Sequence, residues 1–238
     1  MNINQPPRIF DDAHVTAEGS LAKNFVANVF SWMVVGLLIT GFVASYAASS
    51  GLYVQLVGSG GLMMWVILLS PFAFIIAMNA GLQKFSATTL TLLFLAFSGV
   101  MGLSLSSVFL VYSMGSITQV FLITAGTFAV MAFAGYTTSV DLSKFGALLF
   151  MALIGIIIAS VVNFFMQSSM MEFIISVGGV LVFTGLTAYD TQRIKRIGAG
   201  VEYGTAGATK LAILAAVSLY LNFVNLFLFL LRLLGGRN

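Results

Sequence analysis

Cysteine is absent from this 238-residue sequence, and charged residues make up only 7% of it. The absence of cysteine excludes disulfides, thiolate nucleophiles and cysteine-ligated metal sites, and it leaves the redox compartment undetermined. The shortage of charge excludes a soluble domain, in which about a quarter of the residues are charged. A chain of this composition cannot cover itself with a polar surface.

Long apolar runs take the place of charge. No charged residue lies between Lys23 and Lys84 or between Lys84 and Asp141, and these runs far exceed the roughly 20 residues that cross a bilayer as a helix. Backbone groups in hydrocarbon must be paired within their own segment, and the runs are too long and uniform for barrel strands. We therefore predict an all-α integral membrane bundle of seven transmembrane helices, at residues 25–48, 62–81, 89–112, 117–137, 146–166, 173–192 and 210–232.

The remaining residues predict one domain with a tail. Residues 1–20 are predicted to form a flexible cytoplasmic tail and residues 21–238 a single transmembrane domain, because connectors such as 49–61 are too short for a second domain. The tail lacks the basic region and short apolar core of a secretory signal. It contains the only histidine, His14, to which we assign no role.

The basic residues predict orientation rather than nucleic-acid binding. The pI is near 9.3, but the lysines and arginines are scattered along loop ends instead of forming one stripe. If the amino terminus is cytoplasmic and seven spans follow, eight of the ten lysines and arginines lie on the cytoplasmic side, as the positive-inside rule requires. The eight are Arg8, Lys23, Lys84, Lys144, Arg193, Lys195, Arg196 and Lys210. The carboxyl terminus is then periplasmic; a re-entrant last segment, with both termini inside, is the alternative.

Small residues and one proline predict how some of the helices pack and bend. Ser98, Gly102 and Ser106 recur at four-residue spacing in the third segment, which places them on one face and favours close helix packing. Pro71 interrupts the second segment and removes one backbone hydrogen bond, so a kink is expected there.

Asp190 is the one clearly embedded ionisable residue. A carboxylate at membrane depth is costly and is by default a functional candidate, although Asp190 could also be a solvated helix-end residue that pairs with Arg193. Three amides, Asn222, Asn225 and Asn163, are candidates either for an ion pathway or for interhelical hydrogen bonds.

Catalysis is not expected. The spans lack the histidine that a rhomboid-type protease needs and the second carboxylate that an aspartyl protease needs. They also lack the mid-helix lysine of a retinal protein. No zinc or phosphate-loop spacing occurs in the sequence. The sequence therefore predicts a non-enzyme without catalytic residues or cofactor.

Three stretches resemble one family. Residues 185–192, followed by basic residues, and residues 219–227 resemble the late motifs of the transmembrane Bax inhibitor motif family, while residues 102–107 with Tyr112 resemble its central motif. The similarity covers about residues 24–235 and is closest to the family's bacterial inner-membrane branch. It implies seven helices with the last one central, and in some members a pH-sensitive calcium leak closed by two aspartates that share a proton.

Asp190 matches the first of those aspartates, but Asn222 occupies the second position. Two neighbouring carboxylates titrate as a coupled pair, whereas an aspartate beside an amide does not. The resemblance thus implies a calcium or cation leak gated near Asp190 with weakened pH dependence. Ca²⁺ prefers several oxygen ligands, whereas Asp190, Asn222 and Asn225 offer few, so Asp190 is expected to contact the cation only transiently. The alternative is a non-channel protein whose tail engages a partner such as a membrane protease; deleting residues 1–18 should abolish that interaction and spare a leak.

Overall fold

The computed structural model describes residues 9–58, 61–202 and 204–236, with the helical backbone alone described for 9–20. Every regular element in these ranges is a helix. In chain order they are α1 (Ile9–Ser49), α2 (Leu52–Gly58), α3 (Leu62–Ala80), α4 (Ala87–Val111), α5 (Met114–Thr137), α6 (Ser143–Met166), α7 (Ser169–Ala199) and α8 (Ala206–Leu234). The flexible tail at 1–20 stays a prediction, because residues 1–8 lie outside the described residues.

The predicted fold class is confirmed. Seven helices in the described part of the chain are long and apolar enough to cross a membrane: all but α2, with α1 contributing residues 21–49. The sequence reading missed α2, which occupies most of the connector predicted at 49–61. The last two helices also run further than predicted, α7 by seven residues beyond 192 and α8 by four before 210.

Hydroxyl side chains set the starts of four helices. Ser86, Ser113, Ser168 and Thr205 immediately precede α4, α5, α7 and α8, and each side chain accepts a hydrogen bond from a backbone N–H in the first turn. Such caps satisfy backbone donors that have no partner inside the helix. The short connections between these helices therefore end at defined positions.

The last helix is the centre of the bundle, as predicted. In its most apolar stretch 67% of the residues are buried, against 6% for α6. It packs against α1, α4, α5 and α7, whereas α3 packs mainly on α4 and α6 on α7. The two peripheral helices share no packing interface, so the bundle is open between them.

A hydrogen-bonded chain joins α8 to α1 and α4. The Thr40 hydroxyl donates to the Ser98 carbonyl at 2.8 Å and lies 2.7 Å from the Tyr220 hydroxyl. Because the one Thr40 proton is used by Ser98, Tyr220 donates to Thr40. Gly102 lies one turn further along α4, where an added Cβ would be 2.8 Å from the Thr40 carbonyl oxygen. The small residues Ser98, Gly102 and Ser106 thus face the crossing of α1 and α4.

Two serine hydroxyls compensate for the backbone hydrogen bond that Pro71 removes from α3. Proline has no N–H, so the carbonyl of Ile67 four residues earlier lacks its helical donor. The Ser104 hydroxyl of α4 lies 2.7 Å from this oxygen, and that of Ser70 lies 3.2 Å from it. The helix runs unbroken from Leu62 to Ala80, and the expected kink stays a prediction.

Gly135 provides a test of the packing of α5 on α7. A Cβ at this position would lie 2.2 Å from the Ala188 carbonyl oxygen, and backbone cannot yield as a flexible side chain does. Gly135→Ala should therefore force the helices apart and lower stability in detergent by about 1–3 kcal/mol. Gly126→Ala is the matched control on the same helix, because nothing lies within 4 Å of its added Cβ. Equal thermal stability of the two variants would contradict the packing described.

Candidate functional site

Asp190 lies inside the bundle, on the face of α7 that meets the central helix. Its side chain is 7% exposed, and its Oδ2 accepts a hydrogen bond from Asn222 Nδ2 at 2.7 Å. Helix α7 continues nine residues beyond Asp190, which is about 14 Å at 1.5 Å per residue. The carboxylate is therefore not at a helix end.

No basic side chain in the described part of the chain forms an ion pair with Asp190. Arg193, which sequence reasoning offered as a partner, lies one turn further along α7 and is exposed. The ion pair found in this part of the chain joins Arg196 to Asp141 instead. The solvated, paired helix-end alternative for Asp190 is thus not supported.

Two cavities meet at Asp190. The vestibule, of about 270 Å³, is lined by the ends of α3, α7 and α8, including Asn79, Leu82 and Ile197. The lateral cleft, of about 520 Å³, lies between α3 and α6, with α7 and α8 behind it. Asp190, Arg193 and Ser218 line both. The hydrogen-bonded carboxylate therefore stands where the two spaces join.

The vestibule lies at the end of the bundle where the basic residues gather. Connections within this basic end include a hydrogen bond from Lys210 Nζ to the Leu82 carbonyl at 3.3 Å and one from Lys195 Nζ to the Tyr136 carbonyl at 2.9 Å. The described members of the basic end are Lys23, Lys84, Lys144, Arg193, Lys195, Arg196 and Lys210. Arg232 lies near the opposite end of α8.

The three candidate amides have different surroundings. Asn222 is buried against Asp190. Asn225 lines the lateral cleft, and its Nδ2 donates to the Leu221 carbonyl of its own helix at 2.8 Å. Asn163 lies elsewhere: its Oδ1 accepts from the Ser168 N–H at 3.0 Å, in the turn between α6 and α7.

That turn precedes Asp190 by 22 residues of α7, or about 33 Å along the helix. The structure therefore does not bring Asn163 to the other candidates. Its position is that of a cap for the connection between α6 and α7, and its grouping with an ion pathway is not supported.

The oxygen atoms near Asp190 are few. No group of three or more histidine, cysteine, aspartate or glutamate side chains occurs among the described residues. A cation at Asp190 would meet one carboxylate, the amide oxygens of Asn222 and Asn225 and the hydroxyl of Ser218, with water for its other ligands. Such a set suits brief contact rather than the six to eight oxygen ligands of a tight Ca²⁺ site.

Sequence reasoning missed a second polar cluster, at the carboxyl end of α7. Gln192 accepts from the Leu142 N–H at 2.9 Å and donates to the Val140 carbonyl at 2.8 Å. Lys195 Nζ lies 4.8 Å from the centre of the Tyr136 ring. These contacts fasten the connection between α5 and α6 to α7. The signal was the run of polar and basic residues at 192–196. Taken alone, this run indicates orientation, the family motif and, at Arg193, a partner for Asp190, but not contacts with the connection between α5 and α6.

Asp141 completes this cluster and yields a pH prediction. The Arg196 guanidinium and the Ser143 N–H hold the pKa of Asp141 at about 2. A lowered pKa means that the ion pair stabilises the fold above the usual aspartate range and is lost only as the pH falls toward 2. Asp141→Asn should thus lower the melting temperature by a small amount that is constant from about pH 5 to pH 8. A difference that changes across that range would show that Asp141 titrates there.

Comparisons with known proteins cover nearly the whole chain, including the residues that form this site. The family model described as inhibitor of apoptosis-promoting Bax1 matches residues 22–238. The inner membrane protein YbhL of Escherichia coli is 46% identical over 216 residues, which cover 90% of this chain and 92% of that protein.

Two further relatives extend the similarity to other bacteria. A protein of Borreliella burgdorferi is 46% identical over 219 residues, covering 91% of this chain and 94% of its own. A membrane protein of Streptococcus pyogenes is 41% identical over 143 residues, which cover 60% of this chain and 62% of that protein. This multi-pass membrane protein therefore belongs to the Bax inhibitor family.

Proposed function

We propose that the protein is a cation leak pathway of the bacterial inner membrane, with calcium as the permeant ion and a gate at Asp190. The observation that carries the proposal is the buried hydrogen bond between Asp190 and Asn222 at the junction of the vestibule and the lateral cleft. An embedded carboxylate that faces a cavity is by default a candidate for an ion path. The inner membrane location follows the name of the Escherichia coli relative.

The vestibule supports the direction of the pathway. Polar and charged side chains, among them Asn79, Arg193 and Ser218, line its wall beside Asp190. A cation entering from the basic end would meet the carboxylate after passing the exposed Arg193. Beyond Asp190 the space continues into the lateral cleft, whose walls are mainly apolar side chains such as Leu186 and Phe229, so a hydrated cation would meet no comparable polar lining there.

The hydrogen bond between Asp190 and Asn222 supports the proposed gate at Asp190. It ties α7 to α8 at the junction of the vestibule and the lateral cleft, and its loss would free the two helices to separate locally. Because Asn222 is an amide, it cannot share a proton with Asp190 as a second carboxylate would. The proposed leak therefore depends on pH less steeply than one with two acids.

The distribution of charge supports the orientation. Seven basic residues lie at one end of the described bundle, and the positive-inside rule favours the cytoplasm for that end. The amino terminus is then cytoplasmic and the carboxyl terminus, after the seventh span, periplasmic. The vestibule would accordingly open toward the cytoplasm.

Calcium flux into proteoliposomes tests the proposal. The unmodified protein should conduct, and Asp190→Asn should change the rate several-fold because the carboxylate is removed from the route. Asn222→Asp should make the flux depend more steeply on pH between about pH 6 and pH 8, since two carboxylates in hydrogen-bond contact share a proton. Flux should be measured across that range for all three proteins.

Asn163→Asp is the matched control for Asn222→Asp. It makes the same chemical change about 33 Å away, and an aspartate retains the oxygen that accepts from the Ser168 N–H, so its pH profile should equal that of the unmodified protein. If all these proteins fold and none conducts, the leak is wrong. The alternative, a partner of a membrane protease that binds through residues 1–18, would then be tested by deleting them.

A further inference from the structure

The lateral cleft is a second feature with its own chemistry. It separates α3 from α6 over several turns, and side chains on both walls remain exposed: Phe72 of α3 is 62% exposed and Ile157 of α6 is 53% exposed. Both helices are membrane spans, so the medium at the opening is hydrocarbon rather than water. An apolar chain can enter from the bilayer without leaving it.

The cleft is amphipathic along its length. Its walls are mainly phenylalanine, leucine and isoleucine, whereas Asp190, Arg193 and Ser218 lie where it joins the vestibule. Its volume of about 520 Å³ falls within the range of about 300–1,000 Å³ that is usual for ligand pockets. A ligand that fits has a long apolar part and a polar group at one end.

Arg193 specifies the charge of that polar group. Its guanidinium is exposed and has no carboxylate within ion-pair distance in the described part of the chain. Lys210, which reaches the Leu82 carbonyl at the rim of the vestibule, adds a second positive charge. Guanidinium groups bind phosphate through paired N–H donors.

We propose that the lateral cleft binds a phospholipid, with one acyl chain between α3 and α6 and the phosphate on Arg193. The bilayer supplies this ligand directly at the opening, and its anionic head group and apolar tail match the two ends of the cleft. A free phosphate would leave the apolar walls uncovered. The inference does not rest on ion conduction, because binding can be measured in a protein that conducts nothing.

Photochemical cross-linking tests the site in vesicles of phosphatidylcholine that contain phosphatidylglycerol with a diazirine near the end of one acyl chain. Annular lipid labels the outer faces of the bundle and the exposed end of α8 at Leu234, but it cannot reach the part of α8 behind the cleft, and labelling of α8 refers to this part alone. We expect mass spectrometry to find the label on Phe229, which lines the cleft from α8 about 16 Å beyond Ser218 along the helix, within reach of an acyl chain whose phosphate lies at Arg193. The absence of label on Phe229 in the unmodified protein would overturn the proposal.

Two isoleucines of α6 give a matched pair for the acyl chain. Ile157 lines the cleft and is 53% exposed, whereas Ile154 does not line it and is 57% exposed. Ile157→Trp should lower labelling of α8 several-fold by filling the cleft, and Ile154→Trp should leave it unchanged. Equal labelling of α8 in the two variants would contradict occupation of the cleft.

Arg193→Gln tests the head group independently of cleft packing. One basic residue near an anionic surface changes binding about fivefold, so labelling of α8 should fall by about that factor. Lys144→Gln removes a charge at the same end but lines neither cavity, and it should have no effect. Unchanged labelling in Arg193→Gln would overturn the assignment of the phosphate to this residue.

Discussion

The hydrogen bond from Asn222 to Asp190 fixes the buried carboxylate of α7 against the central helix. It joins the buried faces of two helices, α7 and α8, where Asp190 and Asn222 are only 7% and 5% exposed. A carboxylate there is costly unless a donor compensates it, and the amide supplies that donor. The fold can keep Asp190 inside because Asn222 faces it from the central helix.

The enclosure of α8 determines the rest of the architecture. Because α1, α4, α5 and α7 surround it, its polar groups must find partners inside the bundle, as Tyr220 does with Thr40. The two helices that contribute little to this enclosure, α3 and α6, leave the bundle open between them. The same packing thus creates both the buried carboxylate and the cleft that leads to it from the lipid.

The sequence predicted much of the fold and part of the site. Seven spans could be located because uncharged apolar runs of this length are typical of transmembrane helices. Asp190 was identified as a candidate because it is an acid within such a run. Hydropathy could not reveal α2, which is too short to span. Nor could it separate Asn163 from Asn222, because two amides in apolar segments have the same local pattern, and only the packing of α7 shows that one caps a turn. The cluster of Gln192, Lys195 and Arg196 was missed because its partners are about 50 residues away in the sequence.

A cation pathway through the vestibule requires that water reach the Asp190 site, and a single cysteine tests this because the chain has none of its own. Ser218 lines both cavities beside Asp190, whereas Ser98 is fully buried at the crossing of α1 and α4. In inverted membrane vesicles, a charged methanethiosulfonate reagent should modify Ser218→Cys and leave Ser98→Cys unmodified, since only thiolates in contact with water react readily. If Ser218→Cys is as unreactive as Ser98→Cys in the folded protein, no aqueous route leads to Asp190 and the account is wrong.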